Sequence, residues 1–306
     1  MIKVDLITGF LGSGKTTFIK KYARHFMDKG QRVGILENDY GAVNVDMMLL
    51  KELRGEKCEL EMVAGACDSD CHARRFKTKL ISMAMSGYDR VIIEPSGIFD
   101  VDEFFDVIRD EPLDNWYEVG NVIAIVDARL SSNTDTTADY YLASQVANVG
   151  AIVLSRTQIV SPEQLEIAKQ HVISACEGVK LRRDITNIFY AQPWDECDFT
   201  TFENVGHKES SYVKLMTREN TSYETLYFLD TPMDGAHVQK IIEKIFDGSY
   251  GNVMRVKGFY RESDTWHQVN AIKGQCDIEP IADGQQVLIV IGDNLQKEAI
   301  EKLLRA

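Results

Sequence analysis

The sequence predicts an α/β fold, with a mostly parallel sheet and flanking helices, followed by a smaller α+β domain. Three observations predict it. Short apolar runs alternate with helix-period patterns over the first two thirds of the chain. A glycine-rich stretch joins the first apolar run to the first helical pattern. Beyond residue 195 the alternation gives way to closely spaced strand-like runs.

The elements follow in order. Ile2 to Thr8 is a short apolar run ending in glycine, which suits a buried strand. Phe18, Ile19, Tyr22, Ala23, Phe26 and Met27 recur at helical spacing and stop at Gly30. Arg32 to Glu37 reads as the next strand, and Ala73, Phe76, Leu80 and Ala84 as a helix ended by Gly87. Val91–Ile93, Val122–Val126 and Ala151–Leu154 are further strand-like runs, with a helical pattern over Tyr140–Val149 between the last two. Ser161-Pro162-Glu163-Gln164 starts a helix that runs to about Cys176. Ser161 can cap it, Pro162 suits its first turn, and Gln164 can reach back in a capping box. Asn187–Tyr190 reads as another strand.

Residues 195–210 are polar and aperiodic, so the division expected is 1–195, a linker at 196–210, and 211–306. The last part carries strand-like runs at Tyr212–Met216, Thr225–Leu229, Val253–Tyr260, Trp266–Ile272 and Gln286–Ile291. Helical patterns lie near His237–Phe246 and Leu295–Leu304.

Composition narrows the function. A chain of 306 residues, 44% hydrophobic and 26% charged, has the balance of a globular protein with a real core. Its 34 basic and 47 acidic residues leave a net charge of −13, and no basic run offsets it. That argues against a nucleic-acid partner, which needs a basic surface. No stretch of about 18 apolar residues could span a bilayer, and the N-terminus does not read as a secretory signal. Six scattered cysteines do not form a disulfide framework, so reduced thiols and a cytoplasmic location are expected.

Gly9-Phe10-Leu11-Gly12-Ser13-Gly14-Lys15-Thr16 satisfies G-x-x-x-x-G-K-[ST] in full, between a strand and a helix. Glycines let the backbone wrap a phosphate, and successive N–H groups with the helix N-terminus supply positive potential. Lys15 would reach the β- and γ-phosphates, and the Thr16 hydroxyl would ligate magnesium. The smaller glycine-rich positions Gly9, Gly12, Ser13, Gly14 and Thr17 complete the nucleotide site. Downstream, Arg90-Val91-Ile92-Ile93-Glu94-Pro95-Ser96-Gly97 is an apolar strand ending in a carboxylate. Glu94 would serve the magnesium, directly or through water, and Gly97 would offer its N–H to the γ-phosphate.

Together these motifs resemble the CobW-like metallochaperone GTPases, relatives of UreG and HypB. The phosphate loop with Thr17 resembles theirs almost letter for letter. Glu37-Asn38-Asp39-Tyr40-Gly41 resembles their N-E-F-G switch segment, continued by Val45-Asp46. Glu94-Pro95-Ser96-Gly97 is similar to their E-[ST]-x-G turn, and Val126-Asp127-Ala128 to a V-D-A strand end. Arg255-Val256-Lys257-Gly258-Phe259 and Ile291-Gly292-Asp293-Asn294-Leu295 resemble R-x-K-G and I-G-x-x-L signatures near the C-terminus. The resemblance implies a P-loop GTPase domain followed by a CobW-like α+β domain. It also implies GTP and GDP as ligands with Mg2+, and coupling of nucleotide state to delivery of a metal or metallocofactor into a client enzyme.

Two departures stand out. The family's G-C-x-C-C metal motif is replaced by Gly65-Ala66-Cys67-Asp68-Ser69-Asp70-Cys71-His72. Cys67 and Cys71 remain as thiolates for Zn2+ or another transition metal, with Glu37 as a further ligand. Two unbound thiols, or a redox or cluster pair, are the alternatives. The base-reading [NT]-K-x-D is replaced by Ser155-Arg156-Thr157-Gln158. Gln158 presents one carbonyl oxygen where an aspartate accepts two N–H bonds from guanine, while Arg156 can stack on the base as a lysine stem would. GTP is the expected nucleotide, with weakened discrimination against ATP.

The activity expected is slow NTP hydrolysis, with Lys15, Glu94 and Asp39 as catalytic residues. Asp39 and Asp46 lie in the switch segment, and a partner or a homodimer would complete the site. Two rivals remain. One is a nucleotide-gated module that binds a client, such as a corrinoid protein, with little hydrolysis. The other is a P-loop small-molecule kinase. Asp5, Asp127 and the Trp194 region read as structural, as do His237 and His267.

Overall fold

The computed structural model describes residues 1–10, 12–38, 45–63, 69–95, 101–130, 136–213, 224–229 and 234–305. The described residues of Met1–Tyr40 and Leu49–Leu215 form one compact unit, and those of Gly41–Met48 and Met216–Ala306 a second.

The first unit is built on a seven-stranded sheet. Its strands are β1 (Ile2–Thr8), β2 (Val33–Asn38), β3 (Cys58–Val63), β4 (Arg90–Pro95), β5 (Tyr117–Asp127), β6 (Ala151–Ser155) and β7 (Phe189–Tyr190). They lie in the order β3-β2-β4-β1-β5-β6-β7, and every pairing is parallel. Its helices are α1 (Lys15–Asp28), α3 (Ser69–Ala84), α4 (Val101–Arg109), α5 (Thr136–Val146) and α6 (Pro162–Gly178), while α2 (Val45–Leu50) is divided, Val45–Met48 belonging to the second unit and Leu49–Leu50 to the first. Parallel strands need crossovers, and helices on both faces explain why Val91–Ile93 of β4 and Ala151–Leu154 of β6 read as unbroken apolar runs. Phe18, Ile19, Tyr22 and Phe26 of α1 pack on Ile7, Val33, Ile35, Ile92 and Ile125 on one face. On the other, Phe76 and Leu80 of α3 and Phe104 and Ile108 of α4 pack on Leu6, Leu36 and Ile93.

Ser161 caps α6 by accepting a 3.2 Å bond from the Gln164 backbone N–H. The Gln164 side chain does not reach back as the capping box predicts. Its Nε2 donates instead to the Leu130 carbonyl at 3.1 Å, because that chain segment lies beside the helix start.

The stretch 196–210, expected to be a linker, is packed onto the first unit. Phe199 and Phe202 on a 3₁₀ turn (Phe199–Phe202) are buried against Phe18, and Glu203 accepts from His25 of α1 and from Lys29, the residue that caps the C-terminus of that helix. Two aromatic anchors in a polar stretch suffice to hold it down; their spacing of three escapes a search for longer periodicity.

The second unit is a five-stranded antiparallel sheet of β8 (Glu224–Leu229), β9 (Asn252–Glu262), β10 (Thr265–Ile272), β11 (Gln275–Ile281) and β12 (Val287–Asp293). The order is β11-β10-β9-β12-β8. Helices α7 (Gly235–Ile245) and α8 (Lys297–Leu304) complete it, and Val238, Ile241, Ile245 and Ile300 share a core with Val256, Val269, Leu288 and Val290. Of the expected strand Tyr212–Met216, Tyr212 and Val213 are not in a strand and the rest lies outside the described residues.

Candidate functional site

The phosphate loop turns off the end of β1 in the centre of the first sheet and enters α1. The described glycines take the backbone angles that the motif exists to allow, with φ of 143° at Gly9, 77° at Gly12 and 101° at Gly14. A Cβ on Gly9 would stand 2.3 Å from the carbonyl oxygen of Ile125. The loop closes on β5 only because that atom is missing.

Lys15 is buried and its Nζ donates to the Gly9 carbonyl at 3.0 Å, which folds the ammonium back over the loop. Thr16 Oγ1 donates to Glu94 Oε1 at 2.8 Å. Ser13 Oγ is buried in the loop without a hydrogen-bond partner, an acceptor and donor held ready within the cradle. Thr17 is exposed.

Two carboxylates lie on the same side of this loop. Glu37 ends β2 and Glu94 ends β4, and the two are direct register partners. The period-2 alternation that puts Val33, Ile35 and Ile92 under α1 puts both carboxylates on that face too. Each is only 2% exposed. Two buried carboxylates and a threonine hydroxyl make a hard-oxygen donor set of the type magnesium takes, so these residues fit the ion that the loop motif implies.

On the other side of the loop the ends of β5 and β6 carry a charged cluster. Arg156, in a left-handed conformation with φ 58°, donates from Nη1 to the Gly12 carbonyl at 3.0 Å and to Asp127 Oδ2 at 2.8 Å. Arg129 grips the same carboxylate with Nε at 3.0 Å and Nη2 at 2.8 Å. Asp127 thus fixes two guanidiniums beside the phosphate loop, where the sequence suggested a plain strand end. Gln158 follows on a short 3₁₀ turn and is exposed. Trp194 packs its benzo edge near Gly14, with Cη2 3.3 Å from where a Cβ would be.

Asp39, Gly97 and Cys67 lie outside the described residues, as does the side chain of Asp46. Cys71 is half-buried on α3 and lines a cavity of about 670 Å³ with Met62, Val63, Arg74, Arg75 and Lys79. Among the described residues no three or more His, Cys, Asp or Glu side chains converge to hold a metal ion. Also among the described residues, no helix is long and apolar enough to cross a membrane.

Sequence reasoning missed Asp127, Arg129 and Trp194. They lie after two strands far apart in the chain, Asp127 and Arg129 at the end of β5 and Trp194 after β7, and only the V-D-A match hinted at the first.

Comparison with known proteins gives the following. The family model described as CobW/HypB/UreG, nucleotide-binding domain, matches residues 3–181. The model of the cobalamin synthesis protein cobW C-terminal domain matches residues 225–306. The zinc chaperone YjiA of Escherichia coli (strain K12) is 24% identical over 274 residues, covering 84% of this chain and 81% of YjiA. The zinc chaperone YeiR of the same organism is 28% identical over 164 residues, covering 53% of this chain and 49% of YeiR, so the chain spans about half that relative's length. The zinc-regulated GTPase metalloprotein activator 1 of Saccharomyces cerevisiae is 21% identical, covering 99% of this chain and 83% of that one. Among solved structures, the Zn(II)-bound YjiA GTPase from E. coli superposes with a TM-score of 0.42 at 17% identity, over 99% of this chain and 97% of that one.

Proposed function

Because the chain belongs to the CobW/HypB/UreG family of nucleotide-binding proteins, we propose that it hydrolyses GTP slowly and uses the nucleotide state to hold or release a metal ion, zinc first, for a client metalloenzyme. The observation that carries this reading is the hydrogen bond from Thr16 to Glu94 at 2.8 Å beside a loop whose Gly9, Gly12 and Gly14 all take positive φ. The names of YjiA and YeiR as zinc chaperones support zinc as the cargo.

This chain's residues divide the work by position. Loop N–H groups from Gly9 to Thr17 and the N-terminus of α1 bind the phosphate oxygens, and Lys15 neutralises the terminal ones. Thr16 and Glu94 would hold magnesium, which when bound supplies charge that stabilises the leaving phosphate oxygens. Glu37, expected from the sequence to be a cargo-metal ligand, is reassigned to magnesium because it is the register partner of Glu94. Asp127 holds Arg156 on the loop carbonyl and so keeps the loop's outer side rigid. The base is read weakly, because Gln158 offers one acceptor where a carboxylate would offer two. Asp39 and Gly97 are proposed to follow the γ-phosphate, and Cys67 with Cys71 to hold the cargo. A client protein and a second copy of the chain are the partners proposed.

The test pairs two measurements on the full chain. Phosphate release from Mg·GTP should exceed that of the Lys15→Ala variant. Zinc affinity, read with a chromophoric chelator, should differ between the GTP-analogue and GDP states. Turnover no greater than in Lys15→Ala would remove hydrolysis. Equal zinc affinity in both states, or in the Cys67→Ser/Cys71→Ser double variant, would remove the coupling to metal.

A further inference from the structure

We propose that Trp194 is a nucleoside-binding residue that holds the base end of the bound nucleotide without selecting between purines. The inference rests on the nucleotide reading above. The acidic pair Glu37 and Glu94 sits on the β2 and β4 side of the phosphate loop. A metal-bound phosphate tail therefore lies on that side, and the nucleoside extends the other way, across the ends of β6 and β7. Ligands of open parallel sheets bind beyond these carboxyl ends of the strands.

Trp194 follows β7 at this end. Its Cη2 and Cζ3 stand 3.3 and 3.7 Å from the position of a Cβ on Gly14, and Ser155 Cβ, at the end of β6, stands 3.6 Å from the same point. Gly14 is the cap of α1, so the indole borders the last turn of the phosphate loop. The ring is fixed edge-on against Phe18, with centroids 5.5 Å apart at 71°, yet it is only half-buried. A rigid aromatic surface beside the phosphates is a platform that any purine can cover. Such a platform reads no donor or acceptor pattern, which matches the replacement of the base-reading aspartate by Gln158. Trp194 accordingly supplies affinity for guanine and adenine nucleotides alike.

The experiment titrates the full chain, and its Trp194→Ala and Trp194→Phe variants, with Mg·GDP, Mg·ADP and Mg·tripolyphosphate. The polyphosphate has no nucleoside, so it separates this role from a structural one. Trp194→Ala should weaken both nucleotides about tenfold or more and leave tripolyphosphate unchanged. Trp194→Phe should restore most of the loss. Equal weakening of all three ligands, or of none, overturns the role of Trp194. Failure of the wild-type chain to bind Mg·GDP would overturn the nucleotide reading itself, and the inference with it.

Discussion

Thr16 Oγ1 donates a 2.8 Å hydrogen bond to Glu94 Oε1, joining the first turn of α1 to the end of β4 across 78 residues of sequence. The bond places a hydroxyl and a buried carboxylate together at the mouth of the phosphate loop. Glu94→Gln keeps an acceptor for Thr16 but removes the charge. Its folding stability should stay within about 1 kcal/mol of wild type, while the Mg2+ dependence of nucleotide binding falls. Thr16→Ala should lose about 10- to 100-fold in affinity for Mg·GTP. Calorimetric titration with and without Mg2+ checks both, and an unchanged Mg2+ dependence in Glu94→Gln would contradict this role.

Gly9→Ala tests the loop's backbone. The new Cβ would meet the Ile125 carbonyl oxygen at 2.3 Å and Ser13 Oγ at 2.8 Å, at a φ of 143°. Ser13 can rotate away, but Ile125 is locked in the centre of the sheet. Denaturant unfolding should show a loss of about 2 kcal/mol or more, with nucleotide binding abolished. Wild-type stability and binding in this variant would show that the loop is not held as described.

The docking of residues 196–210 gives a packing prediction and a pH prediction. Phe202 is 1% exposed against Phe18, Tyr190 and Phe199, and Phe202→Ala should cost about 3–5 kcal/mol. Beside it, hydrogen bonds from Lys29 and then His25 hold the Glu203 carboxyl below its ordinary 4.5. A carboxylate lowered on folding adds stability above the unfolded value and loses it as pH falls through the folded one. Wild type should therefore exceed Glu203→Gln by at most about 1 kcal/mol near neutrality. The gap should close as the pH is taken below 4.5. A gap that widens on acidification would contradict the ion pairing.

Thiol chemistry separates the buried cysteines from the exposed one. Burial pushes the Cys58 thiol up to about 11 and the Cys176 thiol up to about 12. Partial burial and then Asp277 raise Cys276 as well, but Cys276 lies exposed to reagent on β11. Only thiolates alkylate, so iodoacetamide followed by peptide mass spectrometry should modify Cys276 while the other two stay protected in the native chain. Early labelling of Cys176 would show that α6 is not packed as described.

The legible and hidden parts of this fold have physical reasons. Val91–Ile93 of β4 and Ala151–Leu154 of β6 are apolar on both faces and stand out as runs, and the phosphate loop is legible because few residue types tolerate its backbone. β3 was not visible because Glu59 and Glu61 interrupt it; they are used to accept from Tyr88 and Lys79. β11 holds Asp277, Glu279 and Pro280, residues that an edge strand can carry and an interior one cannot. Helix α4 is short, so its Phe104, Phe105 and Ile108 are too few to establish a helical period. At the site, Lys15, Thr16 and Glu94 follow from local motifs. The pairing of Asp127 with Arg156 does not, because parallel crossovers bring together strand ends 29 residues apart, and no local pattern records that.

The central claim is that a nucleoside triphosphate binds on the Gly9–Thr16 loop through Lys15. Calorimetric titration of Mg·GTP into the wild-type chain and into Lys15→Ala tests it most directly. One nucleotide should bind per wild-type chain, and affinity should fall about 100-fold or more in the variant, with the two proteins melting at similar temperatures. No binding by the wild-type chain, or equal binding by both, would contradict it.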